Sequence, residues 1–235
     1  MKEKRIKIVF TVIILFIIIA LYYVYKKITI INKGGFLMLP LMFCSIYALF
    51  VILERYLFLK RIKLNSEELI GKINIAISSN NIDEAYLICE KNPTILSPIL
   101  IAGLNNFNEP KEKIKEEITE AGLQVIPKLE ENLNIILLIA KISPLLGLLG
   151  TVTGMIKAFN QIRLLGGNVN ATVLAGGISE ALLTTAAGLI IAIPLLIFHN
   201  FLENKVERII LDIENSAIML VNSITKSRNK ISNEE

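Results

Sequence analysis

Histidine, cysteine and the short motifs of common enzymes are scarce in this chain of 235 residues. There is one histidine, His199, and there are two cysteines, Cys44 and Cys89. The sequence contains no HExxH, no GxSxG and no phosphate loop. Gly177-Ile178-Ser179-Glu180-Ala181 comes nearest to a hydrolase elbow, but alanine stands where the second glycine belongs. Zinc-dependent and serine hydrolysis therefore have no support, an enzyme is not expected, and neither is a cofactor. Cys44 lies in an apolar run and Cys89 in a polar segment, so no disulfide framework is suggested. His199, at the end of another apolar run, reads as an interfacial residue rather than a ligand.

Charge is also missing over long stretches. Phe36–Leu53 carries none, and apolar runs recur at Ile8–Tyr25, at about Ile135–Phe159 and at about Val173–Phe201. A membrane helix needs roughly 20 apolar residues. With 53% hydrophobic residues and a mean hydropathy of +0.59, the chain reads as an all-α membrane protein. The expected organisation is an N-terminal anchor span with its outer loop (1–33), a first core span (34–53) and a polar helical domain (54–134). Two glycine-rich spans (135–201) and a helical tail (202–235) follow.

The net charge of +4 is distributed as membrane topology requires, not as a nucleic-acid surface. Basic residues gather at Lys2, Lys4, Arg5 and Lys7, at Arg55, Lys60, Arg61 and Lys63, and in the C-terminal tail. The loop of about 160–172 has only Arg163. Positive charge marks the cytoplasmic side, which puts this loop outside and the 54–134 segment and tail inside. Lys26, Lys27 and Lys33 then lie outside, against the trend. The first run lacks a small-x-small cleavage site and ends in Leu21-Tyr22-Tyr23-Val24-Tyr25-Lys26-Lys27, an aromatic and basic interfacial anchor, so it reads as uncleaved.

Within the polar domain, Asn65-Ser66-Glu67-Glu68 fits a capping box. A short helix over Asn81–Glu90 should end at Asn92-Pro93, and Ser97-Pro98 should open another that closes near Asn105-Asn106. From Pro110 onward Ile114, Ile118, Ala121, Val125 and Leu129 recur at helical spacing, and the pattern continues through Leu133 into the next span. Pro127 is expected to kink that helix rather than end it. In the tail, Val206, Ile210, Ile213, Ala217, Leu220 and Ile224 form a stripe. It suits packing on the 114–133 helix of the same chain, or a stalk between subunits.

The two glycine-rich spans carry the chemistry. At about 100° per residue, Ser143, Gly147, Gly150, Gly154, Ala158 and Gln161 share one arc with Thr151 at its edge. Leu145, Leu148, Leu149, Val152, Met155, Ile156 and Phe159 oppose them. In the last span Gly176, Gly177, Ala181, Thr184, Thr185, Ala187, Gly188 and Ala192 lie on the side of Glu180. Leu182, Leu183, Ala186, Leu189, Ile190 and Ile193 fill the other half, and Ile191 is the one large residue out of place. Small residues let membrane helices approach closely, which accounts for the glycines and alanines but not for Glu180. A carboxylate in a span is expensive and faces a bundle interior or a watery path, although a place near a helix N-terminus would also favour it. Thr151, Thr184 and Thr185 could line such a path, and a partner would have to supply a second carboxylate. Lys141 and Lys157 are expected to snorkel toward opposite interfaces.

Pro144-Leu145-Leu146-Gly147-Leu148-Leu149-Gly150-Thr151-Val152-Thr153-Gly154-Met155 with Ala158-Phe159 resembles a signature of the MotA/TolQ/ExbB proton channel family. Gly177 through Leu189, Ala192-Ile193-Pro194 and Asn200 resemble the ExbB/TolQ form of its next helix, and Gly34 through Leu41, Ser45 and Glu54-Arg55 resemble its first. The span at Ile8–Tyr25 is extra to the family's three-helix core. The resemblance covers about 34–201. It implies a homo-oligomer of five subunits around single-span partners of the ExbD/TolR type, each carrying an aspartate, and coupling to TonB- or TolA-like proteins at the bacterial inner membrane. By motif, Thr151, Thr185 and Glu180 match the family's ion pathway, with Thr184 beside them. Pro144, Gly147, Gly150, Gly154, Gly176, Gly177 and Gly188 would serve helix packing. Thr153 stands where many relatives have tryptophan. A TolQ-like envelope role, a MotA-like stator and a purely structural helix bundle are the rival readings, and the Gly34-Gly35 and Ser179-Glu180 settings argue against MotA.

Overall fold

The structure, a computed structural model, describes residues 34–62, 66–79, 81–164 and 171–234. The anchor expected at Ile8–Tyr25 lies outside the described residues, as does Asn65 of the capping box. Everything regular among the described residues is helical: α1 Met38–Arg61, α2 Ser66–Ser78, α3 Ile82–Lys91, α4 Ser97–Asn105, α5 Lys111–Glu130, α6 Leu133–Leu164 and α7 Ala171–Glu234. Three stretches, Met38–Arg61, Lys111–Leu164 and Ala175–Asn229, are long and apolar enough to cross a membrane. The chain is thus an all-α, multi-pass membrane protein.

The contacts divide it into two units. The first takes 34–52 and Asn134–His199, and the second Leu53–Leu133 and the chain from Asn200 onward.

In the second unit, bulky aliphatic side chains point inward. Leu59, Ile73, Ile77, Leu100, Leu104, Ile114 and Leu129 are all fully buried, and Val206, Ile213, Leu220 and Ile224 of α7 join them. The α7 stripe therefore packs within its own chain. At Gly103 of α4 a Cβ would lie 2.7 Å from Leu220 Cδ2 and 2.9 Å from Ile118 Cδ1, so α5 and α7 meet over that glycine. The turns follow their local chemistry. Asn81 caps α3 by accepting a hydrogen bond from the Glu84 amide at 3.2 Å. Buried Ser97 accepts from the Thr94 amide at 2.9 Å and donates to the Asn92 carbonyl at 2.8 Å, with Pro98 in the first turn of α4. Near its end α7 is tied down twice: the Ser227 hydroxyl donates to the Ile77 carbonyl at 3.1 Å, and Arg228 donates to the Glu109 carbonyl.

The helix expected to run from Pro110 into the next span is broken, but not at Pro127. That proline lies inside α5. The break falls at Glu131-Asn132, where Asn132 takes φ +61°, and asparagine tolerates this left-handed region better than most residues. Arg55 holds the end of α5: its guanidinium donates to the Lys128 carbonyl at 3.2 Å and to Glu131 at 3.0 Å. A cation on the last carbonyls of a helix complements their partial negative charge.

In the first unit, a proline and several glycines sit inside α6 without ending it. A water-free surrounding leaves backbone groups no partner except one another, so the helical ladder persists where water would have competed. Ser143, buried ahead of Pro144, returns its hydroxyl to the Ile139 carbonyl at 2.7 Å.

Candidate functional site: the contact between α6 and α7

The small-residue stripes of α6 and α7 face each other, antiparallel, and touch. A Cβ at Gly147 would lie 2.9 Å from Thr185 Cα and 3.0 Å from the Thr184 carbonyl oxygen. At Gly154 it would meet Ala181 Cβ and the Gly177 carbonyl oxygen, both at 3.0 Å, and at Gly177 the Ala158 Cβ at 2.7 Å. Gly150 sits against the Thr184 side chain, and Gly188 against the Ser143 carbonyl and Pro144. Where the opposing atoms are backbone, they cannot step aside. Gly176 differs, because a Cβ there would meet nothing within 4 Å. It is on the expected face but outside the close contact.

Exposure follows the same division. Ser143, Gly147, Gly150, Gly154 and Ala158 are buried, while Leu145, Leu148, Leu149, Val152, Met155, Ile156 and Phe159 are exposed. In α7, Ala181, Thr184, Gly188 and Ala192 are buried, and Leu182, Leu189, Ile190 and Ile193 are exposed. Gln161, counted with the small face, is exposed.

The three threonines have different places. Thr185 reaches across, donating its hydroxyl to the Gly147 carbonyl at 2.9 Å. Thr184 is 1% exposed and donates within its own helix to the Ala181 carbonyl at 2.8 Å. Thr151, half-buried, donates to Leu148 at 2.6 Å, also in its own helix. The Thr185 and Thr151 hydroxyls thus donate to consecutive carbonyls of α6, those of Gly147 and Leu148.

Glu180 is not alone. The Lys157 ammonium lies 2.6 Å from its Oε1. Lys157 was expected to snorkel away; instead, it pairs with the acid of the neighbouring helix, an arrangement that offsets the cost of a carboxylate among apolar side chains. Lys141 is exposed. Glu180 also meets Gly35, where the backbone has φ +70° and a Cβ would run into the Glu180 carboxylate, Oε1 first. Thr153, which returns its hydroxyl to Leu149 and Gly150 at 3.1 Å, takes no part. Among the described residues no group of three or more His, Cys, Asp or Glu could hold a metal ion.

Sequence reasoning missed Lys157 and Gly35 as neighbours of Glu180. The signal for Lys157 was its place beside Ala158 on the small face, and for Gly35 the glycine pair ahead of α1.

Comparisons with known proteins agree with this architecture. Residues 91–215 match the MotA/TolQ/ExbB proton channel family. The chain is 32% identical over 170 residues to the putative biopolymer transport protein ExbB-like 1 of Synechocystis, covering 71% of this chain and 67% of the relative. It is 32% identical over 166 residues to the biopolymer transport protein exbB1 of Vibrio cholerae, covering 68% and 72%. To ExbB of Aquifex aeolicus it is 41% identical over 100 residues, covering 43% and 67%.

Proposed function

The chain belongs to the MotA/TolQ/ExbB proton channel family, and from that premise we propose that it is the ExbB-like channel subunit of an inner-membrane motor driven by protons. In this reading several copies, five by family resemblance, surround an ExbD/TolR-like single-span partner. Its aspartate supplies the second carboxylate, and the motion it couples to serves a TonB-like protein and outer-membrane transport. The 54–134 segment and the tail lie in the cytoplasm.

One observation carries the proposal: the Thr185 hydroxyl joins α7 to α6 at the Gly147 carbonyl, inside a contact of glycines and alanines where the Thr184 and Ser143 hydroxyls bond within their own helices. A hydroxyl there, a turn and a half from an intramembrane acid, is more than close packing requires, since glycine and alanine alone bring helices together. Thr151 and Thr185 are the pathway residues in this reading. Thr184, packed into the contact, holds the helices apart at the right distance, and Glu180 stands toward the outer end.

The test is proton flux in vesicles holding the protein with an ExbD/TolR-like single-span protein that carries an intramembrane aspartate. Thr185→Val and Thr151→Val keep side-chain volume and lose the hydroxyl. Flux should fall while assembly is retained. If both variants lose assembly before flux, the rival reading of a static helix bundle takes over.

A further inference from the structure

Three chain segments converge on the carboxyl group of Glu180. From α6, Lys157 places its ammonium 2.6 Å from Oε1. From the turn before α1, Gly35 presents bare backbone, and the three atoms nearest to a Cβ there would all belong to Glu180: Oε1, Cδ and Cγ. From α7 itself, Gly177 and Ala181 flank the acid and press against Ala158 and Gly154, the neighbours of Lys157. We propose that Gly35 and Lys157 are positioning residues that seat the Glu180 carboxyl group at one point beside the α6–α7 contact, so that the acid works from a fixed place.

The physical case has two parts. Glutamate has three side-chain torsions, and an acid held from one direction by a cation would still swing about that contact. The Gly35 backbone, packed against Oε1, Cδ and Cγ, limits that swing from a second chain segment. Its φ of +70° is one that residues with a Cβ rarely adopt, and the space a Cβ would need is occupied by the carboxyl group. The seat leaves the Glu180 side chain 23% exposed, open on one side, while the Lys157 side chain is 56% exposed. Lys157 thus reaches in from the surface and fixes the acid without enclosing it.

The consequence for ion movement rests on the function proposed above, and the experiment separates the two. In nanodiscs holding the full chain, a zero-length carbodiimide should join Lys157 to Glu180, read by mass spectrometry of the linked peptides. The linked product should fall several-fold in Gly35→Ala. In flux vesicles, Lys157→Gln and Glu180→Gln should each lower proton flux about tenfold, within the range for coupled neighbours. The double variant should be no worse than Glu180→Gln, and Lys157→Arg should keep most of the flux. Losses that multiply in the double variant would overturn the seat, as would absence of the link in protein that conducts. If the link forms and the wild type conducts no protons, the seat stands and the proton-channel reading falls.

Discussion

Ser143, Gly147, Ala158 and Thr184 are among the most buried residues of the unit that holds α6 and the first part of α7, while Phe43, Leu145, Phe159 and Leu182 point outward. Leu41, Ile52 and Ile136 of that unit are buried too, so the small-residue interior belongs to the α6–α7 contact; in the other unit Ile73, Leu100 and Ile114 are inside, and Lys72, Glu116 and Glu207 are outside. Helix α7 follows the first rule from Ala181 to Ala192, and from Leu195 and Phe198 onward it buries large side chains. Water makes the difference. Where water surrounds the chain, burying aliphatic area stabilises by about 25 cal/mol per Å², so large side chains go inside. In lipid that gain disappears, and helices associate through backbone proximity and cross-helix hydrogen bonds. Small residues then become the contact surface.

The comparison breaks most sharply at the glycines. Gly147→Leu and Gly188→Val put side chains into backbone atoms of the facing helix. Overpacking costs about 1–3 kcal/mol and occasionally more, and with rigid obstacles the upper end or beyond is expected. Both variants should give little monodisperse protein in detergent. Gly176→Ala, with open space around it, should be neutral or gain up to about 1 kcal/mol from helix propensity. A Gly176→Ala variant that failed like Gly147→Leu would mean the stripe acts as a whole face, not through its close contacts.

Next come the large side chains. Leu100→Ala in the second unit, at 0% exposure, should cost about 2–5 kcal/mol. Leu145→Ala in the first, at 63% exposure, should stay within about 0.5 kcal/mol. Thermal unfolding of the full chain reads both. Equal losses would erase the inversion.

Arg55→Met tests the break between α5 and α6. Its carboxylate partners, Glu54 at 2.8 Å and Glu131, are 39% and 62% exposed, so the ion pairs themselves contribute little. With the lost cap on the Lys128 carbonyl, the cost should be about 1–2 kcal/mol. Lysine should not replace arginine, because one ammonium cannot reach both the carbonyl and Glu131 as the guanidinium fork does.

Smaller still, Thr185→Val removes one cross-helix hydrogen bond, worth about 0.6 and at most roughly 1.7 kcal/mol in a membrane. Its midpoint shift should be slight. A large loss of proton flux beside a slight shift assigns the hydroxyl to the pathway; a large shift assigns it to packing.

Much of this was legible because a helix repeats. At 100° per residue the buried and lipid-facing sets of α6 follow from residue order alone, and they match the observed exposure from Ser143 to Ala158. Gly176 shows the limit: a stripe defines a face, not where along it the neighbouring helix touches. Pairing between helices needs their relative register, so Lys157 and Glu180, 23 residues apart, look unrelated in sequence. Proline is a strong local signal, yet α5 absorbs Pro127 and ends at Glu130, where the Arg55 cap and the backbone conformation of Asn132 decide. The contact of Gly35 with Glu180 joins residues at opposite ends of the unit's sequence, and no local pattern announces it.

The smallest effect is at Cys89, and it tests whether the second unit has a dry interior of the soluble kind. Its side chain is fully buried, and burial pushes the thiol up from 9.0 to about 11. Thiolate is the reactive form, so at pH 8 a disulfide reagent should label Cys89 slowly in native protein and quickly once denaturant opens the unit. The same burial sets a pH dependence. A thiol favoured as neutral in the fold contributes stability that is constant below its ordinary value and declines as the pH rises from 9.0 toward about 11. Unfolding midpoints should therefore be insensitive to Cys89→Ala replacement in their pH slope below that window and should differ from wild type within it. Fast labelling of the native protein at pH 8 would show that water reaches this core, and the contrast between the two units would then be one of side-chain size without a matching contrast in solvent.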